Sequence, residues 1–247
     1  MARKFQRILG INFYVGDMPD LLGLCAEGNF IVMPAAPALT NLPQHAEYRE
    51  SLEKCDFALT DSALMVLLWK VLTGESLPRI SGLKLMRGLL AGTQLRRPGS
   101  SLWIMPSLVE QEKNLAWLNA NGYPVTPEDC LIPPFYQKGP LSDPDLLQWV
   151  EERRAPYIIV AIGGGSQERL GLYLRQSLSY RPSIICVGAA IGFITGAGVR
   201  IPAWADSLML GSIYRTLADP KRFLPRYWQA LQLPALMFKY RDRSVVA

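Results

Sequence analysis

The chain has 247 residues, of which 49% are hydrophobic and 19% are charged, a balance that predicts a globular core and excludes a disordered or fibrous protein. Its length accommodates one large α/β domain with an appendage, or two small domains. No segment approaches the roughly 20 consecutive apolar residues that a membrane-spanning helix needs, and the basic N-terminus lacks a signal-peptide cleavage site, so we expect a cytoplasmic protein.

Apolar runs of strand length alternate along the chain with segments of helical periodicity. The predicted strands lie within residues 7–16, 29–35, 56–61, 101–107, 129–136, 156–163 and 183–193. The predicted helices lie within residues 17–28, 43–55, 62–74, 108–122, 143–154 and 167–178. Because parallel strands need crossover connections, this alternation predicts an α/β fold with a mostly parallel sheet covered by helices on both faces.

Ligands of such sheets bind at the carboxyl ends of the strands, so the residues that follow each strand are the candidates for a site. Asp61 ends one strand and precedes a helix, where it could cap that helix or act as a general base. Tyr136 and the glycine-rich stretch that begins at Gly188 follow two other strands. Arg79 precedes a further predicted helix, where it could pair with a phosphate or remain a surface arginine.

Three consecutive glycines follow the strand predicted within residues 156–163, in the sequence "AIGGGSQER". A glycine turn at the start of a helix lets backbone N–H groups approach a phosphate closely. Gly163 and Gly165 fit the spacing G-x-G-x-x-G, but Glu168 occupies the third glycine position, so a simple tight turn explains the pattern equally well. Gln167 and Glu168 open the following helix, within reach of a nucleotide or sugar hydroxyl.

The cysteines and the single histidine do not form a recognisable site. Cys25, Cys55, Cys130 and Cys186 are far apart in apolar surroundings, which predicts free, buried thiols. His45 lies in a polar helical stretch and is predicted to be a surface residue. A zinc site or a histidine triad would need more ligands, so we expect no metal or cofactor and a carboxylate as any general base. The sole D-x-D match begins at Asp143 and indicates a helix start, with Asp143 as its cap.

The last 33 residues, 215–247, combine large apolar side chains with seven basic and two acidic ones. Their net charge of +5 equals that of the whole chain. Arg222 and Arg226 lie one helical turn apart among aromatic residues. This composition predicts a segment that lies on an anionic bilayer, with a core-packed final helix as the alternative. Basic residues confined to one apolar tail argue against nucleic-acid binding.

These segments resemble, in order and over most of the chain, the WecG/TagA/CpsF glycosyltransferases. "YRESLEKCDFALTDS" resembles the family segment that ends in its catalytic aspartate, and "LPRISGLKLMRGLL" resembles the R-x-x-G-x-D-L segment that follows it. "VAIGGGSQE" is similar to the family's G-x-P-x-Q-E turn. "VRIPAW" and "YRTLADPKRFLPRYW" resemble the R-A-P-x-W and Y-R-L-x-x-x-P-x-R-x-x-R-Y signatures, of which the last is the most specific.

The resemblance implies a Rossmann-like catalytic domain over residues 1–212 and a C-terminal appendage over residues 213–247 that docks on the membrane and closes the site. It further implies an inverting, metal-independent transfer of a hexose or N-acetylhexosamine, from a UDP-sugar to a polyprenyl-diphosphate-linked acceptor in bacterial surface-polysaccharide biosynthesis. The protein would be peripheral on the inner face of the cell membrane, and a homo-oligomer is compatible with this role.

The resemblance also implies roles for individual residues. Asp61 would be the base, and Arg222 and Arg226 would stabilise the leaving diphosphate. The residues that the resemblance implies for substrate binding are Arg79, Gly163, Gln167, Glu168 and Arg215. Tyr136 and Gly188 join them because of their positions at strand ends.

The chain departs from the family pattern at seven positions. These are Ala35, Ser62, Ser166, Ile191, Gly192, Gly211 and Ser212, which stand where the family has an asparagine, a glycine, a lysine, an F-D pair and an E-W pair. The departures favour a divergent branch with another donor, or a catalytically inactive membrane-surface binding module. A nucleotide-dependent oxidoreductase is a further alternative, but no acidic residue lies about 20 positions after the glycine turn.

Overall fold

The computed structural model describes residues 4–198, 216–217 and 220–245, and within the last range the side chains of residues 222–223 and 226–227 lie outside the description. Eight strands form one sheet in the order β1-β2-β4-β3-β8-β7-β5-β6. They are β1 (Phe5–Ile8), β2 (Ile11–Tyr14), β3 (Phe30–Val32), β4 (Phe57–Leu59), β5 (Ser101–Ile104), β6 (Cys130–Leu131), β7 (Tyr157–Val160) and β8 (Ser183–Cys186).

The first two strands form the antiparallel edge of the sheet, and every other pair is parallel. Residues 7–16, predicted as one strand, contain a two-residue hairpin turn in which Leu9 and Gly10 both have positive φ, 51° and 81°. A turn of this kind matches the right-handed twist of the strands that it joins. The rest of the sheet has the predicted mostly parallel architecture.

The described residues contain eleven α-helices with defined bounds, besides two short 3₁₀ helices. They are α1 (Met18–Leu24), α2 (Ala36–Leu39), α3 (Ala46–Glu53), α4 (Ala63–Thr73), α5 (Gly82–Ala91), α6 (Leu108–Ala120), α7 (Pro144–Arg153), α8 (Ser166–Ser177), α9 (Ala190–Thr195), α10 (Pro220–Ala230) and α11 (Leu233–Tyr240). None of the described helices is both long enough and apolar enough to cross a bilayer.

Two apolar clusters cover the two faces of the sheet because successive strand side chains point in opposite directions. In β3, Phe30 and Val32 contribute to one cluster and Ile31 to the other. Helices α3, α4, α7, α8 and α11 pack on the first face, and α1, α5, α6 and α9 pack on the second. The predicted α/β, Rossmann-like fold is therefore confirmed.

Helix α9 lies where the sequence predicted only a strand and glycine turns. The apolar run of residues 183–193 continues from β8 into α9 without a polar break, so its pattern does not mark the boundary. Gly188 makes the turn with a φ of 55°. A Cβ at Gly192 would lie 3.2 Å from the backbone nitrogen of Gly198, so a close backbone contact follows the helix.

The C-terminal helix α11 is packed into the core. Leu233 and Met237 are fully buried in the same cluster as Ile8. The backbone N–H of Leu9 donates to the carbonyl of Arg241 at 2.6 Å, which joins the N-terminal hairpin to the end of α11. The core-packed alternative for the final helix therefore describes α11. The predicted domain boundary at residue 213 lies outside the described residues.

Candidate active site

The carboxyl ends of four neighbouring strands, β4, β3, β8 and β7, form the centre of one sheet edge. Asp61 follows β4, Ala35 follows β3, Gly188 follows β8 and Gly163 follows β7. The fold therefore places three of the predicted site segments side by side. Tyr136 follows β6, at the far end of the strand order.

The carboxylate of Asp61 is held at the start of α5. Its Oδ1 accepts a hydrogen bond from the backbone N–H of Gly82 at 3.0 Å, and its main-chain carbonyl accepts from Nε of Arg79 at 2.9 Å. The cap of α4 is Ser62, whose Oγ accepts from the N–H of Met65 at 3.1 Å. The cap interpretation of Asp61 for α4 is therefore wrong, since the next residue performs that role.

Arg79 is half-buried rather than a free surface side chain. Its guanidinium contacts the backbone of Asp61 across the connection from β4 to α5. Gly82 is tightly enclosed, because a Cβ there would lie 2.9 Å from Sδ of Met33. These contacts fix the position of the Asp61 carboxylate relative to the end of β3.

Gln167 and Glu168 are buried beneath the glycine turn. Oε2 of Glu168 accepts from the N–H of Gly165 at 2.6 Å, and its Oε1 accepts from Nε2 of Gln167 at 3.0 Å. Burial raises the pKa of the Glu168 carboxyl, although these hydrogen bonds and the charge of Arg169 act in the opposite direction. Both side chains therefore stabilise the start of α8 through buried hydrogen bonds.

The side-chain oxygen of Gln167, Oε1, lies near Gly188 in the turn after β8. This oxygen is buried and has no hydrogen-bond partner among the described residues. A Cβ added at Gly188 would lie 3.5 Å from this oxygen. Glycine at position 188 thus keeps the space in front of the Gln167 amide open, and the turn after β8 is the element that this amide faces.

The glycine turn itself has the backbone conformation that favours glycine. Gly163 and Gly165 have φ values of 100° and 94°, and a Cβ at either position would meet no atom within 4 Å. Glycine is therefore needed for its backbone freedom and not because the site is crowded. Gly165 is the residue before the first turn of α8, whose positive end points outward from the sheet edge.

A cleft of about 500 Å³ opens beside this turn. Its walls are the segment from α2 to α3, the loop of residues 135–139 and the first residues of α8, with Gln229 of α10 at the rim. Arg169 ties two of these walls together, since its Nη1 donates to the carbonyls of Gln137 at 2.8 Å and Gly139 at 2.7 Å. The cleft is thus built by segments distant in sequence.

The cleft contains polar residues that sequence analysis did not select. His45, predicted to be a surface residue, lines the cleft together with Lys138 and Arg169. None of the three follows a strand directly, and Arg169, the last residue of the "AIGGGSQER" stretch, was not selected there. Segments that meet only through tertiary packing leave no local signal in the sequence. The side chains of Lys138 and Arg169 bring positive charge to the cleft, and Glu47, which also lines it, contributes a carboxylate.

Tyr136, which was selected from the sequence, also lines the cleft. Its hydroxyl donates to Oδ2 of Asp143 at 2.5 Å, and Oδ1 of Asp143 accepts from the N–H of Leu146 at the start of α7. Burial raises the pKa of the Tyr136 phenol, so it remains protonated. The prediction that Asp143 caps a helix is confirmed.

The comparison with protein families identifies the class of enzyme. Residues 6–245, nearly the whole chain, match the model of the WecG/TagA/CpsF family of glycosyl transferases. The chain belongs to this family. No curated protein sequence matches the chain. Glycosyl transfer in polysaccharide biosynthesis, from a nucleotide-sugar donor to an acceptor, is the activity that this membership supports.

The predicted site residues fall into two groups, those at the strand edge and those that line the cleft. Asp61 and Gly188 lie on the strand edge and are not among the residues that line the cleft. Arg215 lies outside the described residues, and Arg222 and Arg226 lie on α10 with side chains outside the description. The described residues contain no group of three or more His, Cys, Asp or Glu side chains that could hold a metal ion.

The four cysteines are free, as the sequence predicted. All four are unpaired, three are buried and Cys130 is half-buried. Burial raises the pKa of the Cys25 and Cys130 thiols to about 12, so both are protonated at neutral pH. Protonated thiols are poor nucleophiles.

Proposed function

We propose that this glycosyl transferase is an inverting enzyme that moves a hexose or N-acetylhexosamine from a UDP-sugar to a polyprenyl-diphosphate-linked acceptor. The supporting observation is the carboxylate of Asp61, held at the carboxyl edge of the sheet by the N–H of Gly82 at 3.0 Å. Family membership gives that carboxylate a reaction class, because glycosyl transfer needs a base for the acceptor hydroxyl.

The cleft is the proposed site of the nucleotide diphosphate. Its volume of about 500 Å³ is typical of small-molecule sites. Gly164, Gly165 and Ser166 line it at the start of α8, where a helix terminus favours anionic groups. Lys138 in the loop of residues 135–139 and Arg169 on α8 add positive charge, and Glu47 adds one carboxylate. These features suit a diphosphate better than an uncharged ligand.

In the proposed reaction, Asp61 removes the proton of the acceptor hydroxyl while its oxygen attacks the anomeric carbon of the donor. The bond to the nucleotide diphosphate breaks on the opposite face, so the configuration inverts. The start of α8, with Arg222 and Arg226 of α10, stabilises the charge that develops on the leaving diphosphate. Gln229 of the same helix lines the cleft, which supports a role for α10 in closing the site.

The reaction is proposed to need no divalent metal and to take place on the inner face of the cell membrane. The D-x-D match at Asp143 supports the first point, because that carboxylate caps α7 and bonds Tyr136. Full activity in excess EDTA is expected. Activity that disappears with EDTA and returns with Mg²⁺ or Mn²⁺ would refute metal independence.

Thermal shift with a panel of nucleotide sugars tests the donor assignment. A UDP-sugar should raise the midpoint of unfolding, and the same donor should then support transfer to a lipid-diphosphate acceptor with inverted anomeric configuration. Lys138→Ala should weaken this stabilisation, whereas Lys113→Ala, an exposed lysine on α6 away from the cleft, should not. Stabilisation by a dinucleotide alone would instead favour an oxidoreductase.

A further inference from the structure

Helix α4 presents apolar side chains to the outside of the molecule. Leu67 and Val71, one helical turn apart, are 58% and 74% exposed, although the opposite side of the helix is buried through Met65, Val66 and Trp69. Surface helices normally carry polar residues on their outer side. The only charged side chain of α4 is Lys70, which is also exposed.

The neighbouring helices of the same layer share this property. Helix α11 packs beside α4 and exposes Phe238, whereas its Leu233 and Met237 are buried. Helix α10 exposes Leu224 and Trp228, and Leu231 directly after it is exposed too. Helix α10 packs on α2, which also contacts α4 and α11. We call these six exposed side chains the outer apolar face: Leu67, Val71, Leu224, Trp228, Leu231 and Phe238.

The exposed charges around this face are mainly positive. None of the three helices contains an aspartate or glutamate. The exposed cations beside it are Lys70, Lys221, Lys239, Arg241 and Arg243, against the exposed acids Glu75, two residues after α4, and Asp242. A partner that covers the face must therefore be both apolar and anionic. A second copy of the chain, docked through the same face, would bring like charges together.

We infer that the outer apolar face, with α4 as an integral part of it, rests on an anionic bilayer. This inference builds on the proposed membrane location and extends it from the C-terminal tail to the catalytic domain itself. The side chains of Leu67 and Val71 enter the boundary between headgroups and acyl chains, while Lys70 and Lys239 pair with lipid phosphates.

The position of α4 gives this contact a functional consequence. The helix starts two residues after Asp61, and at 1.5 Å per residue Leu67 lies about 6 Å from the helix start. A bilayer that holds α4 therefore holds the proposed base at a fixed short distance from the headgroups. The diphosphate of a lipid-linked acceptor occupies that same level.

Vesicle binding of matched double variants tests the inference. The full-length protein carrying Leu67→Ser and Val71→Ser is compared with one carrying Leu108→Ser and Val109→Ser. The control pair, also Leu and Val, is 65% and 62% exposed but lies at the start of α6, on the other face of the sheet. The vesicles contain phosphatidylcholine with about 30% phosphatidylglycerol as the anionic lipid.

The α4 variant should bind at least about tenfold more weakly than wild type, because each lost apolar contact removes roughly a factor of ten. The α6 variant should bind like wild type, and both should keep the wild-type unfolding midpoint. Equal binding of the two double variants would overturn the inference. So would a wild-type dimer in solution that the α4 changes dissociate.

The outcome is separable from that of the proposed function. With a water-soluble, short-chain acceptor, the α4 variant should transfer sugar at the wild-type rate. If α4-dependent vesicle binding occurs without any glycosyl transfer, the proposed reaction fails and the membrane contact stands. If transfer occurs but the α4 variant binds vesicles like wild type, the proposed reaction stands and the proposed membrane contact is wrong.

Discussion

Asp61 is the residue on which the proposed chemistry depends, and its surroundings make it testable. Asp61→Asn keeps an oxygen that can accept from the N–H of Gly82, so the fold and donor binding should persist. Transfer should fall by about 10² to 10⁴, the range that a general base contributes. Steady-state turnover, combined with donor-induced thermal shift, separates the two effects.

Ser62→Ala is the matched control for this substitution. It removes the cap of α4 at the adjacent position and should lower the free energy of unfolding by about 1 kcal/mol. Turnover per folded molecule should stay near wild type. Should Asp61→Asn also retain turnover within a few-fold, the carboxylate is structural and the assignment of the base is wrong.

Glu168 should give the stability a recognisable pH dependence. Burial raises its pKa above that in the unfolded chain, so the folded state binds the proton more tightly. The corresponding stability is complete below about pH 4 and is lost as the pH rises toward the folded pKa. Relative to Glu168→Gln, wild type should therefore become less stable with rising pH, which denaturant unfolding at several pH values measures.

Glu151 provides a control of opposite sign. Hydrogen bonds from the backbone and hydroxyl of Ser179 lower its pKa, so its stabilising effect is present at neutral pH and lost on acidification. Glu151→Gln should consequently reverse the trend seen with Glu168→Gln. A parallel trend in both variants would show that Glu168 does not carry the effect.

At the scale of elements, the glycine turn before α8 offers a comparison between neighbouring glycines. Gly165→Ala forces a side chain into a φ of 94° and should cost about 1 to 2 kcal/mol of stability, with weaker donor binding. Gly164 does not have a positive φ, and a Cβ there would lie 4.0 Å from its nearest contact. Gly164→Ala should therefore be nearly neutral in thermal unfolding, and equal losses would contradict the conformational explanation.

Elements of the sheet edge could be predicted from the sequence because buried strands are continuous apolar runs with clear ends. That pattern located Asp61 and Gly163 correctly at the carboxyl edge. The cleft could not be predicted, because His45 and Lys138 meet only through tertiary packing of segments some 90 positions apart. Helix α9 was missed for a local reason: glycines and apolar residues continue across its boundary with β8.

At the scale of the whole molecule, α11 belongs to the core, so removal of the tail tests more than membrane docking. Deletion of residues 215–247 would expose the pocket that Leu233 and Met237 fill, and an aggregating protein is expected. Leu233→Ala should cost about 2 to 5 kcal/mol in denaturant unfolding, whereas Phe238→Ala, at an exposed position of the same helix, should change stability little. A stable, monomeric truncated protein would show that the core is complete without α11.

The bond between Leu9 and Arg241 also has a consequence for biosynthesis. The N-terminal hairpin shares an apolar cluster with Val245 and bonds Arg241 at the end of α11, so the ribosome adds these partners long after the hairpin itself. At 5 to 20 residues per second, the hairpin waits roughly 10 to 50 s for them. During that interval Ile8 and Leu9 lack the side chains of α11 that cover them in the folded protein, so the hairpin completes its packing only after α11 has been synthesised.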